Sequence, residues 1–226
     1  MLRKQKLSLL CGTLASIILA TNLSAGIITQ SGDGFTIPDY DFSGISSDIT
    51  ISQNETITSL EVTLRGFAHG FAGDIHAEIS NGSIRTFLVG RVGRPDKTSD
   101  GDDSAYNGDY TFSDDGGDLW AAASSAAFGV DIAAGDYKAT GNFNSPVSLA
   151  DAFAGQSSAA TWTLRMTDSG DANEGLITGW EIKLLTTDGS SNTVPEPTSM
   201  TVFAIGVVCF LNRSRRKRRQ VDRILE

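Results

Sequence analysis

Apolar and polar residues alternate with a period of two in four separate stretches of this 226-residue chain, the pattern of strands that bury one face. Leu60, Val62 and Leu64 alternate with Glu61, Thr63 and Arg65, and Ile75, Ala77 and Ile79 alternate with His76, Glu78 and Ser80. Further on, Trp162, Leu164 and Met166 alternate with Thr163, Arg165 and Thr167, and Trp180, Ile182 and Leu184 with Glu181 and Lys183, so both indoles are expected inside. Asn81-Gly82, a favoured tight-turn dipeptide, precedes residues 84–89, and residues 73–89 are therefore predicted to form a hairpin. The middle, residues 90–144, mixes acids and glycines with the alanine-rich run 121–127. It predicts long loops, one helical turn and a strand over 109–112. Short strands at this spacing, without an amphipathic helix among them, predict an antiparallel β-sandwich.

Two stretches are apolar without alternation, one near each end. Residues 7–20 follow Arg3, Lys4 and Lys6 and lead to Leu23-Ser24-Ala25, which together read as a secretory signal peptide cut after Ala25. Cys11 raises a lipoprotein alternative, but Leu10 is too large for that cleavage site. The second stretch, 200–211, is shorter than the roughly 20 residues of an untilted membrane span. Alone it fits a buried core segment equally well. The cations behind it, Arg213, Arg215, Arg216, Lys217, Arg218 and Arg219, decide for a transmembrane helix, because excess Lys and Arg mark the cytoplasmic end and would spoil a core. Ahead of it Val194, Pro195, Glu196 and Pro197 hold the backbone extended.

This three-part tail resembles the PEP-CTERM sorting signal of Gram-negative bacteria. The resemblance implies an inner-membrane intermediate, recognition by an exosortase-type transpeptidase at Val194–Pro197, and release to the cell surface or extracellular matrix. The expected organisation is then a signal peptide (1–25), one β-sandwich domain (26–188), a linker (189–193), the sorting signal (194–219) and a cytoplasmic end (220–226).

Charge sharpens the division. Residues 26–193 hold 24 acids against 8 Lys and Arg, a net charge of −16, whereas the whole chain is −9. Acid at that density argues against nucleic acid or anionic lipid as a partner. Neither cysteine, Cys11 or Cys209, falls in the body, so disulfides cannot hold it. Calcium is the cofactor such loops would suit, since it takes oxygen ligands from flexible acidic segments. The candidates are Asp114, Asp115, Asp118, Asp168 and Asp171, with Asp96, Asp100, Asp102, Asp103 and Glu174 beside them. None has EF-hand spacing, and solvated loop acids are the plain alternative. Trp120, placed in an irregular acidic loop, is a candidate for binding sugar or for packing at the sandwich edge.

The body resembles the P domain, also called the proprotein convertase P or homo B domain, a jelly-roll sandwich found beside subtilisin-like proteases and in bacterial surface proteins. The resemblance rests on residues 57–65, on His69, Gly73-Asp74-Ile75, Ile79 and Asn81-Gly82-Ser83, and on Ala160-Thr161-Trp162-Thr163-Leu164, Asp168, Gly175 and Gly179-Trp180. Ala160 stands where the family often carries Gly. The chain lacks the separate loop contexts that a Ser-His-Asp triad needs. His69 is expected to make hydrogen bonds in a glycine-rich turn and His76 to lie on a solvated sheet face beside Glu78. No residue pattern singles out a pair of acids for glycosidase chemistry. The sequence therefore predicts an all-β, non-enzymatic export with a structural or adhesive role in biofilm exopolysaccharide. The alternative is an accessory P domain acting on a separate subtilisin-like serine protease.

Overall fold

The computed structural model describes residues 25–187. Nine strands run through it in chain order: β1 (Ala25–Ile37), β2 (Ile45–Ile51), β3 (Thr56–His69), β4 (Ile75–Ser80), β5 (Arg85–Gly90), β6 (Tyr106–Gly117), β7 (Gly135–Tyr137), β8 (Ala160–Asp168) and β9 (Gly175–Thr187). Two short helices, α1 (Leu119–Ser125) and α2 (Leu149–Phe153), sit in the connections. The strands form a five-stranded sheet, β1-β9-β3-β6-β7, and a four-stranded sheet, β2-β8-β4-β5. Every pairing is antiparallel except β6 with β7, which is parallel and departs from the wholly antiparallel expectation.

The alternating stretches face as their sequence requires. Leu60, Val62 and Leu64, then Ile75, Ala77 and Ile79, then Leu164, Met166, Ile182 and Leu184 are all fully buried in one core shared by the two sheets. Trp162 and Trp180 are fully buried as well, and each indole N–H finds an acceptor. Trp162 donates to the Ser158 carbonyl at 3.2 Å, and Trp180 donates to Ser47 Oγ at 3.0 Å, joining β9 of one sheet to β2 of the other. Gly32, paired with Trp180 across β1 and β9, leaves room for this ring; a Cβ there would lie 2.2 Å from the indole nitrogen.

The predicted hairpin is β4 and β5, joined through residues 81–84. Asn81 Oδ1 accepts from the backbone N–H of Ser83 and Ile84, and Gly82 takes the left-handed conformation at φ +85°. The middle is more regular than its composition predicts. The strand expected over 109–112 extends to twelve residues, with Tyr106, Tyr110 and Phe112 inward and Asp114 and Asp115 on the strand rather than in a loop. The alanine-rich run supplies α1, so Trp120 is helical and half-buried against the core, not in an irregular loop. Periodicity did not mark β1 because it is an edge strand that buries only Ile28 and Ile37.

The signal peptide, apart from Ala25, and all of residues 188–226 lie outside the described residues. Among the described residues no helix is long and apolar enough to cross a membrane. Ala25 opens β1 and pairs with Thr187 at the end of β9, so the chain enters and leaves the body at one end.

Candidate functional site

The same alternation that buries Ile75, Ala77 and Ile79 sends His76 and Glu78 to the outer face of the four-stranded sheet. Antiparallel register sets Thr167 of β8 opposite His76, and Arg165 of β8 and Phe87 of β5 on either side of Glu78. Arg91 and Arg94, from the loop after β5, close one side, and Phe42 and Ser169 close the other, giving an open cleft of about 360 Å³. His76 thus lies on the expected face beside Glu78, but it is half-buried rather than solvated.

Three of the body's eight cations converge here against one lining carboxylate. Backbone carbonyls hold them in place. Arg91 Nε donates to Gly73 O at 2.6 Å and its Nη2 to Asp100 O at 3.1 Å, with Asp74 Oδ1 at 3.5 Å. Arg94 donates to Ser99 O and Lys97 O, each at 2.9 Å. Arg165 donates to Phe42 O at 3.0 Å and Ser43 O at 2.7 Å, and to Glu78 Oε2 at 3.3 Å. Carbonyls orient a guanidinium without neutralising it. Among the described residues Arg94 has no carboxylate within ion-pair distance, while Glu78 is shared between Arg165 and Arg85. Burial pushes the His76 imidazole below its usual value, opposed by its hydrogen bond to Asn142. The ring is therefore neutral at neutral pH, with Nε2 donating to Asn142 Oδ1 at 2.8 Å and Nδ1 free to accept.

His69 is the last residue of β3, not part of a turn, and is buried. Its Nε2 lies 2.9 Å from Asp168 Oδ2 and 3.0 Å from Asn173 O, and its Nδ1 lies 2.8 Å from Phe71 O. These contacts tie the ends of β3 and β8 to the loop that precedes β9. All the imidazole's polar partners are structural.

The acids considered for calcium are dispersed. Asp114, on β6, accepts from Ser148 Oγ and from the N–H groups of Leu149 and Ala150, closing the N-terminus of α2. Asp118 caps α1 through the Ala121 N–H at 3.0 Å. Asp168 is enclosed with His69, whereas Asp171 is exposed in the loop between β8 and β9. Asp115 lines a separate acidic cleft with Glu61 and Asp136. Asp96 and Asp102 accept from Thr98 and Ser104 within their own turns. Among the described residues no three His, Cys, Asp or Glu side chains are grouped to hold a metal ion. Asp114→Ala is expected to lower stability by about 1–2 kcal/mol, as loss of a helix cap does, measured as a shift in the urea midpoint at unchanged slope.

Comparison with known proteins bears on the tail. Residues 193–217 match the PEP-CTERM protein-sorting motif. The motif marks the chain as secreted, exported for membrane-associated sorting to the cell surface and addressed to exosortase-type processing. The match spans Val194, Pro195, Glu196, Pro197 and the cations Arg213, Arg215, Arg216 and Lys217; Arg218 and Arg219 follow it. All of these lie outside the described residues. A search of curated proteins returns no match. Solved structures similar to the chain include the serine protease of Aeromonas sobria in complex with the chaperone ORF2, at 15% identity and a TM-score of 0.42, covering 73% of this chain and 28% of that one. The serine protease of Aeromonas sobria alone gives 14% identity and a TM-score of 0.40, covering 71% of this chain and 27% of the protease. The chain thus spans little more than a quarter of the proteases it resembles.

Sequence reasoning missed the cleft. Its residues are scattered from Phe42 to Ser169, and of them only His76 and Glu78 were marked in their own segment. The one available signal was the scarcity of cations in the body, three of them at Arg91, Arg94 and Lys97.

Proposed function

We propose that this chain is a non-catalytic protein of the cell surface or extracellular matrix of a Gram-negative bacterium, with a structural or adhesive role in exopolysaccharide. The observation that carries this reading is the sorting motif at 193–217, behind a body of −16 net charge. In mechanism, the tail cations resist crossing, the apolar run holds the chain in the membrane, and the Val-Pro-Glu-Pro segment is presented to the transpeptidase.

Strand order supports a jelly-roll reading of the body: β1, β9, β3 and β6 of one sheet face β2, β8, β4 and β5 of the other, and the chain crosses between sheets at every connection except β4 to β5 and β6 to β7. A P domain would have this arrangement. His69 is enclosed with Asp168, and His76 is bound to Asn142.

Mass spectrometry of the protein recovered from its host is expected to show an N-terminus next to Ala25 and a C-terminus near Val194–Pro197. Recovery of the uncut chain from cytosol would overturn the proposal.

A further inference from the structure

The geometry points to the cleft on the four-stranded sheet as a binding site for a carboxylate-bearing pyranose, a uronic-acid unit of an acidic polysaccharide, and this deepens the surface-protein reading on which it rests. Arg91, Arg94 and Arg165 outnumber the single lining carboxylate, Glu78. Arg91 and Arg94 are anchored through Nε and Nη2. Among the described residues the Nη1 of each has no partner, which leaves donors for an anion in addition to fixed positions. A guanidinium binds a carboxylate through paired, charge-assisted hydrogen bonds.

Two phenylalanine rings line the cleft with these donors. Phe42 is 59% exposed, held edge-on by Tyr40 with ring centres 5.1 Å apart, and anchored through its carbonyl by Arg165. Phe87 lines the opposite strand, 5.8 Å from the His76 ring. The apolar C–H face of a pyranose buries against such rings, whereas its hydroxyls need mixed donors and acceptors. His76, Glu78, Thr167 and Ser169 supply them on the cleft floor. The volume of 360 Å³ falls at the lower end of the roughly 300–1,000 Å³ typical of small-molecule sites, enough for one or two sugar units.

Charge around the cleft narrows the ligand further. The rest of the body is strongly acidic, and screening over about 8 Å at physiological salt confines attraction to the cleft itself. A uronic-acid ring offers one carboxylate to the arginines and an apolar C–H face to the aromatic rings of the same cleft.

The test is isothermal titration of the full chain, in mild detergent, with tetragalacturonate and with neutral cellotetraose. Tetragalacturonate should bind, more weakly as salt rises, and cellotetraose should not. Arg94→Gln should weaken binding about tenfold, the worth of one charge-assisted hydrogen bond. Phe42→Ala should weaken it severalfold with an unchanged melting temperature, because the ring is exposed. Equal affinity for cellotetraose, inorganic phosphate bound as tightly as tetragalacturonate, or wild-type binding by both variants would each overturn the assignment. Mass spectrometry of the recovered protein separates this outcome from the surface reading. A trimmed surface protein inert to tetragalacturonate refutes the ligand alone, while an uncut cytosolic chain that binds it refutes the surface role alone.

Discussion

Asp168→Ala should lose about 3–5 kcal/mol of folding free energy, the usual consequence of removing one member of a buried charged or hydrogen-bonded pair. The carboxylate is 1% exposed and the His69 ring 0%. Oδ2 meets His69 Nε2 at 2.9 Å, and Oδ1 accepts the Gly170 N–H at 2.9 Å. Truncation removes both contacts and leaves the imidazole with Asn173 O at 3.0 Å as its remaining acceptor on that side. The effect should spread, because Asp168 closes β8 opposite Ile75 at the start of β4, and His69 closes β3. For a domain of this size the melting temperature should fall by roughly 10 °C. Asp168→Asn keeps an oxygen for Gly170 and should lose less. A loss under about 1 kcal/mol for Asp168→Ala would show that the pair is not holding these strand ends.

Asp74→Asn should act in the opposite direction at neutral pH. Asp74 is 7% exposed, and burial, reinforced by the Asp168 carboxylate, pushes its pKa from 3.8 to about 6 against the opposing pull of Arg91. Below the unfolded pKa both states are protonated, and the site carries no penalty. As pH rises through the window from 3.8 to about 6, the unfolded chain gives up its proton first, so stability falls; above that window the full penalty remains. The shift corresponds to about 2–3 kcal/mol at neutral pH. Asn removes the ionisation while its oxygen can still face Arg91 Nη2, which lies 3.5 Å from the present carboxylate. The variant should therefore gain stability over wild type progressively between these pH values, read from urea midpoints across a pH series. A constant difference over that range would locate the penalty elsewhere. Gly170 accounts for the tight enclosure: a Cβ at that position would lie 2.0 Å from Asp74 Oδ2.

Much of the fold was legible in the sequence because strand faces are local. A period of two needs only neighbouring residues, and every inward position read from residues 60–64, 75–79, 162–166 and 180–184 is buried. The hairpin was equally local, since Asn81 and Gly82 set their own turn. Where burial is one-sided and slight, as along β1, the alternation is lost among Gly, Ser and Gln. In β6 the acids mimicked a loop because they face outward between buried Tyr106, Tyr110 and Phe112. The acids that composition suggested for calcium were mostly explained by contacts invisible in sequence: Asp114 reaches α2 from more than thirty residues away.

The sequence by itself determined the all-β character, the inward faces of the central strands and the sorting motif. Each is written in a continuous segment, the last as a linear motif. Tertiary structure alone decided that His69 meets Asp168, 99 positions along the chain, and that Arg91, Arg94 and Arg165 converge beside Phe42 in an otherwise acidic body. Those meetings follow from which strands pair and in what register. That choice is made by burial and hydrogen bonding across the whole core, so no single stretch of residues records it.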